Sequence, residues 1–177
     1  MKKTTKNQKQ GKTGKPKKNK SLAKRNRQEQ YKGKHQETSA AHYYIGTLDV
    51  NSRGNGYVVV EDLDQDIFVA SNFLNKALHG DRVEVYVFPR FRNRNKMEGE
   101  VTKIIERKKQ RFVGTVQLHK NFAFVVPTDP RMYTDFFVQK DKLGGAQDGD
   151  RVIVRIDDWK DHHDSPIGVV EQVLGIP

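Results

Sequence analysis

The chain has 177 residues, no cysteine and a formal net charge of +11. Without cysteine it can form neither a disulfide framework nor a thiolate metal site, which fits a reducing cytoplasm. No apolar run approaches the roughly 18 residues of a membrane span, and the basic N-terminus lacks the apolar core of a secretory signal. We therefore expect a cytoplasmic protein that has no membrane partner.

The positive charge is concentrated at the N-terminus. Residues 1–41 contain 14 Lys and Arg and 2 Glu, whereas the other 136 residues contain 19 basic and 20 acidic side chains. This tail has too few large apolar side chains to offset the entropy of ordering, so it is predicted to be disordered. Because polycations bind phosphate backbones by releasing counterions, we expect the tail to contact RNA. Structured RNA and the ribosome are candidate targets. The alternatives are a solubilising leader, a segment that binds acidic proteins and a segment without function.

The remainder of the chain is an internal repeat. Five short sequences recur in the same order at an offset of 67 to 69 residues, for example GDRVEV at 80–85 and GDRVIV at 149–154. Repetition of this kind indicates two copies of one structural unit. The predicted domains are therefore the tail at 1–41, a first copy at 42–107 and a second copy at 108–177.

Each copy is predicted to contain five short strands, because runs rich in Val, Ile, Phe and Tyr alternate with Gly, Asn and Asp turns. In chain order the predicted strands cover 43–49, 55–61, 66–70, 81–88, 98–106, 112–118, 121–126, 134–139, 150–157 and 167–174. After the third strand, SNFLNKAL is predicted to form one or two helical turns capped by Ser71 or Asn72. Its counterpart in the second copy, KDKLGGAQ, is predicted to form a turn.

Five short strands with a small crossover after the third are typical of the OB-fold. The predicted fold is therefore all-β, with two tandem five-stranded OB-fold, cold-shock-like barrels after the disordered basic tail. An SH3-like barrel is the structural alternative.

Aromatic and basic side chains share one face of neighbouring strands in each copy, because side chains alternate across a strand. The residues on this face are Arg53, Asn55, Tyr57 and Phe68 in the first copy and Lys120, Phe122, Phe124 and Phe137 in the second. A small barrel cannot enclose every ring, so we expect these rings to face outward and stack on unpaired bases. Arg53 and Lys120 are expected to contact phosphates. The alternative is that Tyr57 and Phe124 pack inside the barrels or between them.

These strands resemble the two ribonucleoprotein motifs of cold-shock domains. The matching segments are RGNGYV at 53–58 and IFVAS at 67–71 in the first copy, and KNFAFV at 120–125 and FFVQK at 136–140 in the second. Asn55 replaces one aromatic residue of the motif, and neither copy has the trailing His-Phe. The first copy is therefore expected to bind bases more weakly.

From residue 44 to residue 175 the chain is similar to the N-terminal tandem cold-shock region of bacterial ribonuclease R. The resemblance rests on DIFVASNFLNKALHGDRVEVYVFPR, EGEVTKIIERKKQRFVGTV, NFAFVVPTDP, GAQDGDRVIVRI and PIGVVEQVLG. It implies a region that binds single-stranded RNA and guides it toward the active site of a 3′-5′ exoribonuclease. A free-standing RNA-binding or RNA-chaperone protein and a protein-interaction module are the alternatives.

The aspartates that hold magnesium in the full-length family map to no position of this sequence. The resemblance therefore implies no catalytic residue and no cofactor in this chain, and Mg²⁺ is expected only for an absent catalytic domain. No small-molecule substrate is expected either, since the sequence contains no P-loop, nucleophile elbow or His-Glu-x-x-His motif.

The remaining polar clusters do not predict a catalytic or metal site. DDWKDHHD at 157–164 has side chains that bind metals, but it lies in a predicted hairpin loop, whereas metal ligands need fixed geometry. His79 has no evident nucleophile or substrate to serve as a base, and Trp159 is expected to pack against a barrel. RFRNRNK at 90–96 is interpreted either as a phosphate-binding loop or as a solvated loop.

Overall fold

A computed structural model of the chain describes residues 42–91 and 96–177, without the side chain of Phe91. The predicted disordered tail and most of the segment 90–96 lie outside these residues. The ten described strands are β1 (Tyr43–Val50), β2 (Gly56–Val59), β3 (Ile67–Val69), β4 (Arg82–Val87), β5 (Met97–Glu106), β6 (Arg111–Leu118), β7 (Phe122–Pro127), β8 (Phe136–Gln139), β9 (Arg151–Asp158) and β10 (Ile167–Gly175). Each agrees with its prediction to within two residues at either end. Within the described ranges, no helix has the length and apolar character needed to cross a membrane.

The strands form two closed barrels with the same strand order, β1-β2-β3-β5-β4 and β6-β7-β8-β10-β9. All neighbouring strands are antiparallel except β3 with β5 and β8 with β10, which are parallel. Closure leaves no long unpaired sheet edge. The prediction of an all-β fold with two five-stranded barrels of the OB plan is thus confirmed.

Alternation along each strand separates the core from the surface. In β2, Gly56 and Val58 are buried while Tyr57 and Val59 face outward. The first barrel is filled mainly by branched aliphatic side chains such as Leu48 and Ile67, and Phe136 is the largest fully buried side chain of the molecule. Burying each such side chain contributes about 1.5–3 kcal/mol, which fixes the register and therefore which side chains remain outside.

The crossover after the third strand is one short 3₁₀ helix in both barrels, Ser71–Phe73 and Lys140–Lys142. The predicted cap at Ser71 or Asn72 is wrong, because the N-cap residue is Ala70, whose side chain makes no cap hydrogen bond. The first N–H of the helix, that of Ser71, is instead satisfied by Asn55 Oδ1 from the β1–β2 turn at 3.2 Å. In the second barrel the helix is followed by two glycines with positive φ, Gly144 and Gly145, so the predicted turn is found there.

The two barrels pack against each other through the loop before β4 and the loop between β7 and β8. The Tyr133 hydroxyl donates to the Ala77 carbonyl at 2.6 Å, and Tyr133 packs against the cores of both barrels. Leu78 comes from the first copy but belongs to the core of the second barrel. Burial raises the pKa of the Tyr133 hydroxyl, so this group stays a hydrogen-bond donor at neutral pH.

An ion pair connects the first barrel with the segment that joins the two barrels. The Asp81 carboxylate is fully buried and accepts from Arg107 Nη1 at 3.0 Å and from the Lys108 N–H at 3.1 Å. The Arg107 guanidinium also lies 5.9 Å from the centre of the Trp159 ring. Trp159 packs against the core of the second barrel, as expected, and it brings that barrel next to the ion pair.

Candidate nucleic-acid interface

Four rings form a continuous cluster on the outer face of β7 and β8. Phe124 lies directly across from Phe137 in the β7–β8 pair. Phe122 and Phe137 are stacked at 5.4 Å between ring centres, and Phe124 meets both of them edge-on at 5.5 and 6.1 Å. The fourth ring, His119, stacks on Phe122 at 4.9 Å with an interplanar angle of 19°. We call His119, Phe122, Phe124 and Phe137 the second aromatic surface.

The rings of this surface face outward because their strand neighbours fill the core. Ala123 and Val125 are fully buried, whereas Phe122 and Phe124 are half-buried. Phe137 is likewise half-buried between two buried neighbours on β8. The rings pack on one another by stacking and edge-on contacts, and each remains partly accessible to solvent. Offset and edge-on pairs of this kind add about 0.5–1.5 kcal/mol beyond area burial, so the surface is held in place before any ligand arrives.

His119 was not among the predicted site residues. It lies in the turn between β6 and β7, where its N–H donates to the Phe122 carbonyl at 2.8 Å, and its side chain is exposed. A single histidine in a turn carries no sequence signal for stacking. Only the position of this turn over the start of β7 places the imidazole on Phe122.

The first barrel carries a smaller version of the same surface. Tyr57 on β2 lies across from Phe68 on β3, their ring centres are 5.4 Å apart, and Tyr57 is 39% exposed. Lys96 Nζ lies 5.3 Å from the centre of the Phe68 ring. We call Tyr57 and Phe68 the first aromatic surface. Since Lys96 ends the RFRNRNK segment, a cation from that segment does reach this surface.

The position that holds Phe122 in the second barrel holds Asn55 in the first, and Asn55 has a structural role. Its Oδ1 accepts from the Ser71 N–H at 3.2 Å, and its own N–H donates to Asn51 Oδ1 at 3.1 Å. The side chain therefore fixes the β1–β2 turn against the crossover helix. Arg53 is exposed in the same turn, where its N–H donates to Asn51 Oδ1 at 3.0 Å.

The electrostatic surroundings of the two surfaces differ. On the neighbouring strand, Phe68 lies beside Glu98 and Phe137 lies beside Ile167. Glu98 is paired with Lys96 at 3.8 Å. The exposed Lys120 lies at the end of the second aromatic surface, and Lys140 Nζ donates to its carbonyl at 3.3 Å. The second surface therefore combines more rings with two lysines at its end and is the better platform for a polyanion that carries bases.

The polar clusters outside these surfaces lack the geometry of a metal site. In residues 42–91 and 96–177 no group of three or more His, Asp and Glu side chains is arranged to hold a metal ion. In the DDWKDHHD segment the indole N–H of Trp159 donates to the His163 carbonyl at 3.0 Å, and Asp161 accepts from Lys76 at 2.9 Å. This loop therefore contributes a contact between the barrels.

Comparison with known families assigns a type to each barrel. Residues 46–104 match the Ribonuclease B OB domain, and residues 124–177 match the Cold shock domain. Ribonuclease R of Thermotoga maritima is 31% identical over 131 residues, which cover 74% of this chain and 18% of the relative. Ribonuclease R of Escherichia coli is 26% identical over 130 residues, which cover 73% of this chain and 16% of the relative. The chain thus spans less than a fifth of the length of these curated relatives.

Solved structures show the same fold. The Mycoplasma genitalium RNase R in complex with ribose methylated single-stranded RNA superimposes with a TM-score of 0.67 at 23% identity, over 75% of this chain and 21% of that one. Yeast Ssd1, described as a pseudonuclease, superimposes with a TM-score of 0.65 at 19% identity, over 81% of this chain and 24% of that one.

Proposed function

The two barrels are the N-terminal tandem OB and cold-shock domains of the ribonuclease R family, and on that premise we propose that they bind single-stranded RNA. The second aromatic surface carries this proposal. It offers several partly exposed π-faces on one rigid sheet, and base stacking on such rings is worth about 1–3 kcal/mol per base. Because every base has a π-face, sequence preference is weak.

The phosphates of the bound strand run along the basic rim of each aromatic surface. Lys120 and Arg53 are exposed at the strand ends where the rings begin, and Lys96 lies over Phe68. The basic tail at 1–41 adds affinity by releasing counterions from the RNA, without recognising the RNA sequence. The first aromatic surface has Asn55 where the second has Phe122, and Glu98 lies beside its Phe68. It therefore contributes less binding energy than the second aromatic surface.

The role of these barrels is to guide RNA, with hydrolysis carried out elsewhere. We propose that the hydrolysis and any metal ion it needs belong to a part of the enzyme other than these two barrels. In this proposal the barrels guide single-stranded RNA to the active site of a 3′-5′ exoribonuclease of the ribonuclease R type, and they do so in the cytoplasm. The single-stranded RNA in the M. genitalium RNase R complex supports the class of ligand.

The test is a titration of labelled oligo-uridylate with the wild-type chain and with a variant that carries Phe122→Leu, Phe124→Leu and Phe137→Leu. Leucine keeps the apolar packing of the β7–β8 face but removes the π-faces. Loss of one to two stacked bases, at about 1–3 kcal/mol each, predicts an affinity at least about fivefold weaker. Unchanged circular dichroism and melting would show that the barrel remains folded.

The matched control removes exposed apolar side chains elsewhere, with Leu174→Ala and Ile176→Ala, which are 45% and 88% exposed. It is expected to bind as tightly as the wild type. If the leucine variant also binds like the wild type, stacking on the second aromatic surface is refuted. If the wild type does not bind oligo-uridylate at low salt, the function as a whole is refuted and an interaction module for proteins becomes the better interpretation.

A further inference from the structure

A cleft of about 150 Å³ lies between the two barrels. Both barrels and the segment that joins them contribute side chains to its wall. The lining residues are Leu78, His79, Lys108, Lys109, Phe112, Asp129, Arg131 and Met132. With His79 neutral, three cations and one carboxylate line the cleft, and the Asp49 carboxylate lies 3.6 Å from His79 Nδ1, so the net charge around the apolar floor is about +1. Its volume is smaller than the roughly 300–1,000 Å³ of sites that enclose a drug-sized ligand, and it suits one phosphate group with part of its sugar.

The lysines of this cleft are held in position. The Lys108 N–H donates to the buried Asp81 carboxylate at 3.1 Å, and its carbon stem lies against Gly80, where an added Cβ would come within 2.5 Å of Lys108 Cδ. Lys109 Nζ lies 5.4 Å from the centre of the Phe112 ring. Both lysines therefore lie along the wall of the cleft with their ammonium groups accessible to an anion.

Arg131 presents a hydrogen-bond donor that lacks a proper acceptor. Its Nη1 lies 2.9 Å from His79 Nε2, while the Val50 N–H donates to Nδ1 of the same ring at 3.0 Å. A neutral imidazole has a single lone pair, so it cannot accept from both donors. Protonation would not resolve the conflict, because it removes that lone pair and makes both ring nitrogens donors, and burial and the nearby Arg131 charge lower the pKa of His79 in any case. An anionic oxygen in the cleft would accept the hydrogen bond from Arg131 Nη1 that the His79 ring cannot accept.

The cleft also adjoins the first aromatic surface. Asp49 is the direct cross-strand neighbour of Tyr57, and its Oδ1 lies 3.6 Å from His79 Nδ1. His79 in turn contacts Arg131. The first aromatic surface and the cleft are thus joined through Asp49 and His79, and one bound strand can contact both.

From this geometry we infer that the cleft between the barrels is a phosphate-binding site for the same RNA strand, formed by Lys108, Lys109 and Arg131. The inference rests on the proposed RNA-binding function and adds a site to it. Because the wall comes from both barrels, the site exists only while they are packed together. It therefore links the strength of RNA binding to the packing of the two domains.

The test compares the full chain carrying Lys108→Met and Lys109→Met with a control carrying Lys103→Met and Lys160→Met. Both pairs remove two exposed lysines, but the control pair lies outside the cleft. Each lost phosphate contact lowers the slope of log K against log salt by about 0.7 for single strands. Two contacts predict a slope smaller by about 1.4, and hence an affinity for labelled oligo-uridylate about 25-fold weaker at about 0.1 M salt but nearly unchanged at about 1 M.

The outcomes separate the two proposals. If the wild type binds and the cleft variant loses no more affinity or salt slope than the control, the cleft site is refuted while the aromatic surfaces stand. If the wild type itself fails to bind, the proposed function is refuted directly. A melting temperature that is equal in both variants shows that the barrels remain packed.

Discussion

Replacing Asp81 by alanine should destabilise the protein far more than the equivalent change in the second barrel. The Asp81 carboxylate accepts three hydrogen bonds, from Leu78 N–H at 2.8 Å, from Lys108 N–H at 3.1 Å and from Arg107 Nη1 at 3.0 Å. The counterpart in the repeat, Asp150, accepts from Gln147 N–H at 2.9 Å and is only partly buried. The two aspartates occupy the same turn of the fold in different surroundings.

The expected loss of stability depends on which groups lose their hydrogen-bond partner when each carboxylate is removed. Removing one partner of a buried ion pair costs about 3–5 kcal/mol, because the remaining charge is buried without compensation. Arg107 retains its bond to the Lys76 carbonyl at 3.2 Å and its contact with Trp159, so we expect the lower end, about 3 kcal/mol. Burial raises the pKa of Asp81, and the three donors oppose that shift. For Asp150→Ala, the loss of one hydrogen bond from a neutral backbone N–H predicts a destabilisation of about 1 kcal/mol.

The assay is urea unfolding of the two variants, followed by far-ultraviolet circular dichroism and by fluorescence of Trp159, the single tryptophan. Because Arg107 lies over the indole ring, loss of the ion pair should change the fluorescence before the barrels unfold. Equal destabilisation by Asp81→Ala and Asp150→Ala would refute the argument that this ion pair fixes the barrels to each other.

Three other changes have defined outcomes. Hydrogen bonds from Arg131 lower the pKa of Asp129 to about 2 from 3.8, so its contribution to stability is present above about pH 4 and is lost as the pH falls through 2. Since Asp129 is 35% exposed, Asp129→Asn should cost no more than about 1 kcal/mol near pH 6. In acid denaturation its difference from the wild type should shrink as the pH falls and vanish only below about pH 2. Gly46→Ala should lower the melting temperature strongly, because the added Cβ would lie 2.3 Å from the Val59 carbonyl oxygen and overpacking costs about 1–3 kcal/mol. Deleting residues 1–41 should weaken oligo-uridylate binding and flatten its salt dependence, whereas an unaltered slope would mean that the tail does not bind RNA.

The barrels could be predicted because their signals are local and repeated. A strand such as Arg82–Val87 alternates buried and exposed positions with period two, and each signal occurs again about 68 residues later. The outward rings follow from the same alternation once Val58 and Val125 are assigned to the core. Both inferences need only the alternation of side chains along a strand and the limited volume inside a small barrel.

The contacts between the barrels could not be predicted, because they join residues that are distant in sequence. The Tyr133 hydroxyl meets the Ala77 carbonyl 56 residues away, and neither segment carries a local pattern for that contact. Asp81 and Asp150 share the Gly-Asp-Arg-Val sequence context, but the β4–β5 pairing brings Arg107 beside Asp81. The cleft and the position of His119 depend on the same three-dimensional placement. Asn55 was predicted to lie on the binding face, but the sequence did not reveal that its side chain accepts a hydrogen bond from the Ser71 N–H.

The central claim, that the outward rings are platforms for bases, is tested most directly by mapping where RNA touches the protein. Photocrosslinking of oligo-4-thiouridylate to the intact chain, followed by mass spectrometry of the peptides, identifies the side chains that contact the bases. The account predicts crosslinks within residues 53–68 and 119–137, at Tyr57 and at the phenylalanines of the second aromatic surface. Crosslinks that are found only in the N-terminal tail, or at aromatic pairs such as Tyr43 and Tyr86, would contradict it.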